Sequence, residues 1–177
     1  MRYRILFLLF LVLFTQTTYG QSLPDRLDTN SLVTGSLSEL RNSRRVLLLV
    51  RRSRVVDSRG MAKTIVDEAY RTDPDARTRF PWLFNLLARK LNNYIRQHQS
   101  MSAVKRVSDA EFIVFFNLLE YRRPLGHPYP YGEMFVIKNS AAGGRPRIVW
   151  KTRKSSMWAE DAIEDLIRDL KAVRGEG

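Results

Sequence analysis

The chain has 177 residues, 44% hydrophobic and 27% charged, with 30 Lys and Arg against 18 Asp and Glu, for a net charge of +12. That apolar content excludes a disordered chain, and nine Gly with seven Pro exclude a collagen-like or linker-dominated one. One domain is the natural count, since a chain of about 150 residues buries roughly 68–70% of its unfolded surface, enough for a core without covalent staples. With no cysteine, disulfides, thiol nucleophiles, Cys-based zinc sites and lipidated cysteines all drop out.

Residues 1–20 read as a secretory signal peptide. Arg2 and Arg4 precede an unbroken apolar run, Ile5–Phe14, and the polar stretch to Gly20 carries small residues at Thr18 and Gly20, so cleavage is expected before Gln21. A membrane anchor is the alternative, but ten apolar residues span only about 15 Å as a helix, half of a ~30 Å hydrocarbon core. No later segment reaches 18 consecutive apolar residues. The mature chain is therefore expected in the periplasm or outside the cell, without a transmembrane helix. No cysteine follows the signal to carry an acyl anchor.

Residues 21–43 form a polar arm, loosely ordered, with a helical turn near Ser36–Arg41. A single domain over residues 44–174 follows. Val46–Val50 is a continuous apolar run flanked by two Arg on each side, the pattern of a strand buried on both faces. Met61, Ile65, Val66, Ala69 and Tyr70 then make one face of a helix that Thr72-Asp73-Pro74-Asp75 ends. A second helix runs from Pro81, suited to a first turn, to about Gln97, with Leu83, Phe84, Leu87, Leu91, Tyr94 and Ile95 on its apolar side. Phe112–Leu119 is the central strand. Pro124–Gly132 reads as a loop, Met134–Lys138 as a short strand and Asn139–Pro146 as a hairpin loop. Arg147–Arg153 alternates Ile148, Trp150 and Thr152 against Val149, Lys151 and Arg153, as a half-buried strand does. The last helix covers Met157–Val173, with Ala159, Ile163, Leu166, Leu170 and Val173 inward. Ser155 or Ser156 is its expected cap, and Glu160, Asp161, Lys171 and Arg174 match its dipole.

The order β-α-α-β-β-β-α gives an α+β fold, with an about four-stranded, mainly antiparallel sheet and two to three helices packed on one face. The last three strands form a meander. This topology, over Arg44–Val173, resembles small bacterial envelope α+β domains of the TolB amino-terminal type and of LPS-assembly lipoproteins. The missing lipobox cysteine is a departure from the lipoprotein members, and the resemblance carries no functional residue across.

Catalytic signals are sparse. No HExxH, GxSxG, P-loop or GxGxxG pattern occurs. His98 reads as a solvated helix-end histidine, and His127 has no orienting partner in sequence. Glu160, Asp161, Glu164 and Asp165 crowd one helix face, whereas two-carboxylate hydrolysis needs acid and base on opposite sides of a bond; they read as surface acids, as do Asp57, Asp67 and Glu68. No catalytic residue, metal ligand or cofactor is assigned. Two binding signals remain. Seven Arg fall within Arg41–Arg59, and Arg44, Arg45, Arg51 and Arg52 are the candidate anion contacts, because guanidinium pairs bidentately with phosphate and carboxylate. His127, Tyr129 and Tyr131 alternate with Pro128 and Pro130, a stiff aromatic edge suited to a partner.

The expectation is an exported, non-catalytic binding or accessory domain whose Arg-rich face contacts an anionic ligand. Its partners would be an envelope protein, an acidic polymer or lipid head groups rather than nucleic acid. A secreted hydrolase with a dispersed Asp/Glu/His site is the alternative.

Overall fold

Val46–Val50 lie within strand β1 (Arg45–Arg51), and all five are buried. Alternating Cβ directions send Val46, Leu48 and Val50 into one apolar cluster and Leu47 and Leu49 into another. A strand apolar on both faces requires cover on both, and that requirement decides the architecture. In this computed structural model the described residues are 32–52, 61–72, 80–123, 126, 128–140, 145–154 and 156–176. The expected signal peptide, Asp57, Pro74, His127 and Ser155 lie outside them.

The remaining strands are β2 (Ser102–Ala103), β3 (Phe112–Arg122), β4 (Tyr129–Lys138), β5 (Arg147–Lys151) and β6 (Met157–Trp158). The sheet runs β2-β1-β3-β4-β5, with β6 added beside β4. β1 pairs parallel with β2 and β3, whereas β4 pairs antiparallel with β3, β5 and β6. The three helices are α1 (Met61–Arg71), α2 (Pro81–His98) and α3 (Ala159–Arg174). The fold is α+β, and β3 is the central strand with β3-β4-β5 a meander, as expected.

Three features correct the sequence reading. The helices do not share one face. Leu83, Leu87, Leu91 and Tyr94 of α2 join Ala159, Ala162, Ile163, Leu166 and Leu170 of α3 over Val46, Phe112, Val114, Phe116, Met134 and Val136. Ala69 of α1, flanked by Ala62, Ile65 and Val66, covers Leu47, Leu49, Ile113, Phe115, Phe135 and Ile137 on the opposite face. The sheet is also mixed, with two parallel pairings at β1 beside the three antiparallel ones at β4, and wider than four strands. The two-helix connection carries the chain from β1 to parallel neighbours on each side, and the two-residue strands β2 and β6 are too short to show a period.

A bulge makes the third correction. Ile137 pairs with Ile148 but Val136 pairs with Trp150, leaving Val149 as an extra residue. Ile148 therefore faces α1, while Trp150 packs on the α3 side and donates its indole N–H to Asp169 Oδ2 at 2.9 Å. The simple alternation of Ile148 and Trp150 on one face is broken.

The described part of the N-terminal arm is bound to the sheet. The N–H groups of Thr34 and Gly35 donate to the Ile148 carbonyl. A 3-10 turn, Leu37–Leu40, is held by a capping box in which Ser36 Oγ accepts from Ser38 N–H and Glu39 Oε1 accepts from Ser36 N–H. Leu40 reaches the core, and Glu39 grips the β4–β5 edge through Arg147 at 2.6 Å and Lys138 at 3.5 Å.

Candidate functional site: an aromatic cleft

β4 begins at Tyr129, five residues earlier than its apolar stretch suggests, because Tyr129-Pro130-Tyr131 pairs with Glu120–Arg122 of β3. The proline is tolerated here because it lies outside the stretch that β6 pairs, near the end of the strand. A register shift between Leu118 and Glu120 accompanies this extension. At the bend, Gly132 lies so close to β3 that a Cβ would fall 2.2 Å from the Asn117 carbonyl oxygen. This close pairing sets β4 against β6, opposing Tyr131 to Trp158. The Tyr129 and Trp158 rings then meet edge to face, 5.4 Å apart at 78°, a favoured aromatic geometry.

The start of α2 completes the site. Pro81 opens the helix, and Trp82 follows off the apolar stripe, 55% exposed. Trp82, Leu86, Pro128, Tyr129, Trp158 and Glu160 line a cavity of about 450 Å³. Three elements thus contribute one aromatic ring each to the same cleft. Among its described lining residues, Glu160 alone carries a full charge. Its carboxylate binds Lys90 Nζ at 2.7 Å, and Glu164 shares that ammonium at 2.5 Å. Hydrogen bonds to Glu160 and then Glu164 raise the Lys90 pKa above its ordinary value. The Trp158 indole N–H is buried without a hydrogen-bond partner, a desolvation cost of about 1–3 kcal/mol. Chemically, the cleft offers aromatic faces and one acid. It suits recognition by stacking, apolar contact or cation–π attraction.

Of the proposed partner loop, Tyr129 enters this cleft and His127 lies outside the described residues. Tyr131 is occupied by Arg122, whose guanidinium sits 4.3 Å from the ring centroid while bonding Glu120 at 2.6 Å. Sequence reading missed Trp82 and Trp158. The available signal was Trp82 itself, a large aromatic placed beside the stripe of Leu83, Leu87 and Leu91 instead of within it.

The four candidate anion-binding Arg residues do not meet. Arg45 begins β1 with Arg44 just before it, and Arg51 ends it with Arg52 just after, about 20 Å away at ~3.3 Å per residue. Arg45 pairs with Glu111 at 3.3 Å and Arg51 with Glu68 at 2.9 Å. Glu111 also accepts the backbone N–H of Arg44, foremost, and of Arg45, which holds its carboxyl below the ordinary value. Arg44 and Arg52 are exposed.

On the α1 face a polar row interrupts the apolar sheet. Arg51 pairs with Asn117 in register, and Asn117 with Glu133. Lys151, opposite Phe135, lies on the same face. Burial pushes the Glu133 carboxyl up despite the charge of Lys151, and burial pushes the Lys151 ammonium down despite Glu133. Perturbed pairs of this kind are a recognised mark of functional sites.

His98 is not simply solvated. Its ring lies 5.0 Å from that of Tyr94, and Nδ1 is 3.7 Å from Glu176 Oε2. Glu176 also accepts from Tyr94 Oη at 2.6 Å and Ser100 Oγ at 3.2 Å. A nucleophilic triad needs the imidazole between hydroxyl and acid, whereas here the acid lies between Ser100 and His98. Arg174, with a side chain 4% exposed, ties this cluster to the arm by donating to Ser100 Oγ and to the Leu40 and Ser43 carbonyls. The arrangement is a structural lock on the C-terminal turn. Of the acids of α3, Glu160 and Glu164 are engaged by Lys90, and Asp165 by Arg168 at 2.7 Å. Ser156 does not cap α3, whose N-cap is Trp158 without a side-chain hydrogen bond.

Among the described residues, no group of three or more His, Asp or Glu could hold a metal ion, and no helix is long and apolar enough to cross a membrane. Comparison with protein-family models, curated proteins and solved structures finds no match to this chain.

Proposed function

We propose that the chain is an exported, non-catalytic binding or accessory domain of the cell envelope or extracellular space, and that it contacts its ligand through the cleft between α2, β4 and β6. The observation that carries this reading is the convergence of Trp82, Tyr129 and Trp158 on one cavity. An indole left more than half exposed forgoes burial worth roughly 1.5–3 kcal/mol for a large apolar side chain, and exposed aromatic surface of this kind marks interaction sites. Residues 1–20 carry the charge and apolar pattern of an export signal, which supports this address. The Arg-flanked ends of β1 serve as secondary contacts to anionic polymer or lipid.

The test uses the mature chain, from Gln21, mixed with envelope material of its own host. Wild type is expected to co-sediment, and a Trp82→Ala/Tyr129→Ala variant with an unchanged circular dichroism spectrum is expected to remain in the supernatant. Equal sedimentation of both, or of neither, contradicts the reading. A hydrolase is the second reading, favoured by one observation, the half-buried Glu133 beside Lys151. It requires a turnover that Glu133→Gln abolishes and Trp82→Ala does not.

A further inference from the structure

The charge around the cleft opposes that of the molecule. The whole chain carries +12, yet Glu160 lines the cleft and Glu164, one turn on in α3, shares with it the ammonium of Lys90. Two carboxylates against one ammonium leave this edge of the cleft acidic, and Arg122, across the strand pair from Tyr129, is itself paired with Glu120. An anion approaching the cleft is repelled, and a cation is drawn in.

The lining narrows the kind of cation. Its side-chain hydrogen-bonding groups are few: the Glu160 carboxylate, already bonded to Lys90, the Tyr129 hydroxyl, and the indole N–H groups of Trp82 and of the buried Trp158. A sugar needs several convergent donors and acceptors, and a primary ammonium needs acceptors for three N–H groups. A quaternary ammonium has no N–H to satisfy, so it leaves water for an aromatic wall without stranding a donor. Indole faces attract such cations most strongly, and clustered aromatic rings are the usual means of holding them. Two Trp and one Tyr are present, and the cavity of about 450 Å³ lies within the roughly 300–1,000 Å³ of small-molecule sites.

We infer that the cleft formed by Trp82, Tyr129, Trp158 and Glu160 binds a quaternary ammonium group, as carried by choline-type and betaine-type molecules. The inference rests on the reading of this cleft as the ligand-contacting surface and adds the chemical class of what it takes. The methyl-covered cation sits among the three rings, and the acidic rim supplies long-range attraction.

The experiment titrates the mature protein into choline and, separately, into 3,3-dimethylbutan-1-ol, its uncharged carbon analogue, following the ligand methyl resonance by NMR. Choline is expected to broaden and shift saturably, with the neutral analogue binding at least about 2-fold more weakly and Trp82→Ala losing about 2- to 30-fold in choline affinity. Trp82→Phe, which keeps a ring, is expected to lose less than Trp82→Ala. Equal binding of the two probes overturns the cationic inference while leaving the cleft a binding surface. Absence of choline binding also overturns it. In that case Trp82-dependent sedimentation with envelope material keeps the broader reading, and Trp82-independent sedimentation removes both.

Discussion

Single residues show where this sequence trades stability for position. Gly132 is required by contact, since a Cβ there would collide with the Asn117 carbonyl at 2.2 Å. Gly132→Ala is expected to cost about 1–3 kcal/mol, the range for overpacking, and to shift Tyr129 relative to Trp158; equal denaturation midpoints for variant and wild type would refute the close approach. Glu133 carries the opposite sign. Burial raises its folded pKa, so its ionised form weakens the fold at neutral pH and protonation relieves that cost. Glu133→Gln is therefore expected to raise the melting temperature at pH 7, and a clear fall would show that the charge is structurally satisfied. Neither residue was legible as special in sequence, because close backbone approach and half-burial both arise from strand pairing. Tyr129 was legible, through its alternation with proline. Its companions Trp82 and Trp158 lie 47 residues before it and 29 after, and only the fold brings them to it.

Elements with a clean period were the most legible. Phe112, Val114 and Phe116 of β3 share one cluster with Leu166 and Leu170 of α3, as the lengths of their apolar patterns require. Leu166→Ala is expected to cost about 2–5 kcal/mol, whereas Glu164→Ala, on an exposed pair, is expected to change stability by less than about 1 kcal/mol; equal thermal shifts would contradict the α3 register. Less legible were features set by neighbours. The bulge at Val149 and the early start of β4 depend on partners across the sheet, and the side taken by α1 follows from the two-sided burial of β1. Helix α2 ends on Gln99, at φ 46° in the left-handed region, which costs a side-chain residue roughly 1–2 kcal/mol. Gln99→Gly is expected to stabilise by up to about 1 kcal/mol, read as a higher urea midpoint; a lower midpoint would show that the Gln99 side chain contributes more than its backbone strain costs.

At the scale of the molecule, acid stability follows from carboxylates with lowered pKa. Glu111 is held down first by the Arg44 N–H, Glu39 first by the Ser36 N–H, and Glu176 by Tyr94, Ser100, His98 and Arg174 against its own burial. A lowered folded pKa adds stability that is complete above the ordinary carboxylate pKa of 4.5 and is lost as pH falls through the folded value. Stability is thus expected to fall below about pH 4.5, less steeply in Glu111→Gln; an unchanged slope in that variant would remove Glu111 from the account. Net charge was fully legible, but its arrangement was not. Arg45 and Arg51 are spent on Glu111 and Glu68, which places any polyanion contact on Arg44 and Arg52. The central claim, that the aromatic cleft meets the ligand, has a direct measurement because the three tryptophans divide between cleft and core. Trp82 and Trp158 line the cavity, whereas Trp150 is bonded to Asp169 against the α3 side of the sheet. Fluorine NMR of the mature chain labelled with 5-fluorotryptophan, recorded with and without envelope material from the host, is expected to shift or broaden the Trp82 and Trp158 resonances selectively. Binding that leaves both unchanged, or that perturbs Trp150 to the same degree, would contradict it.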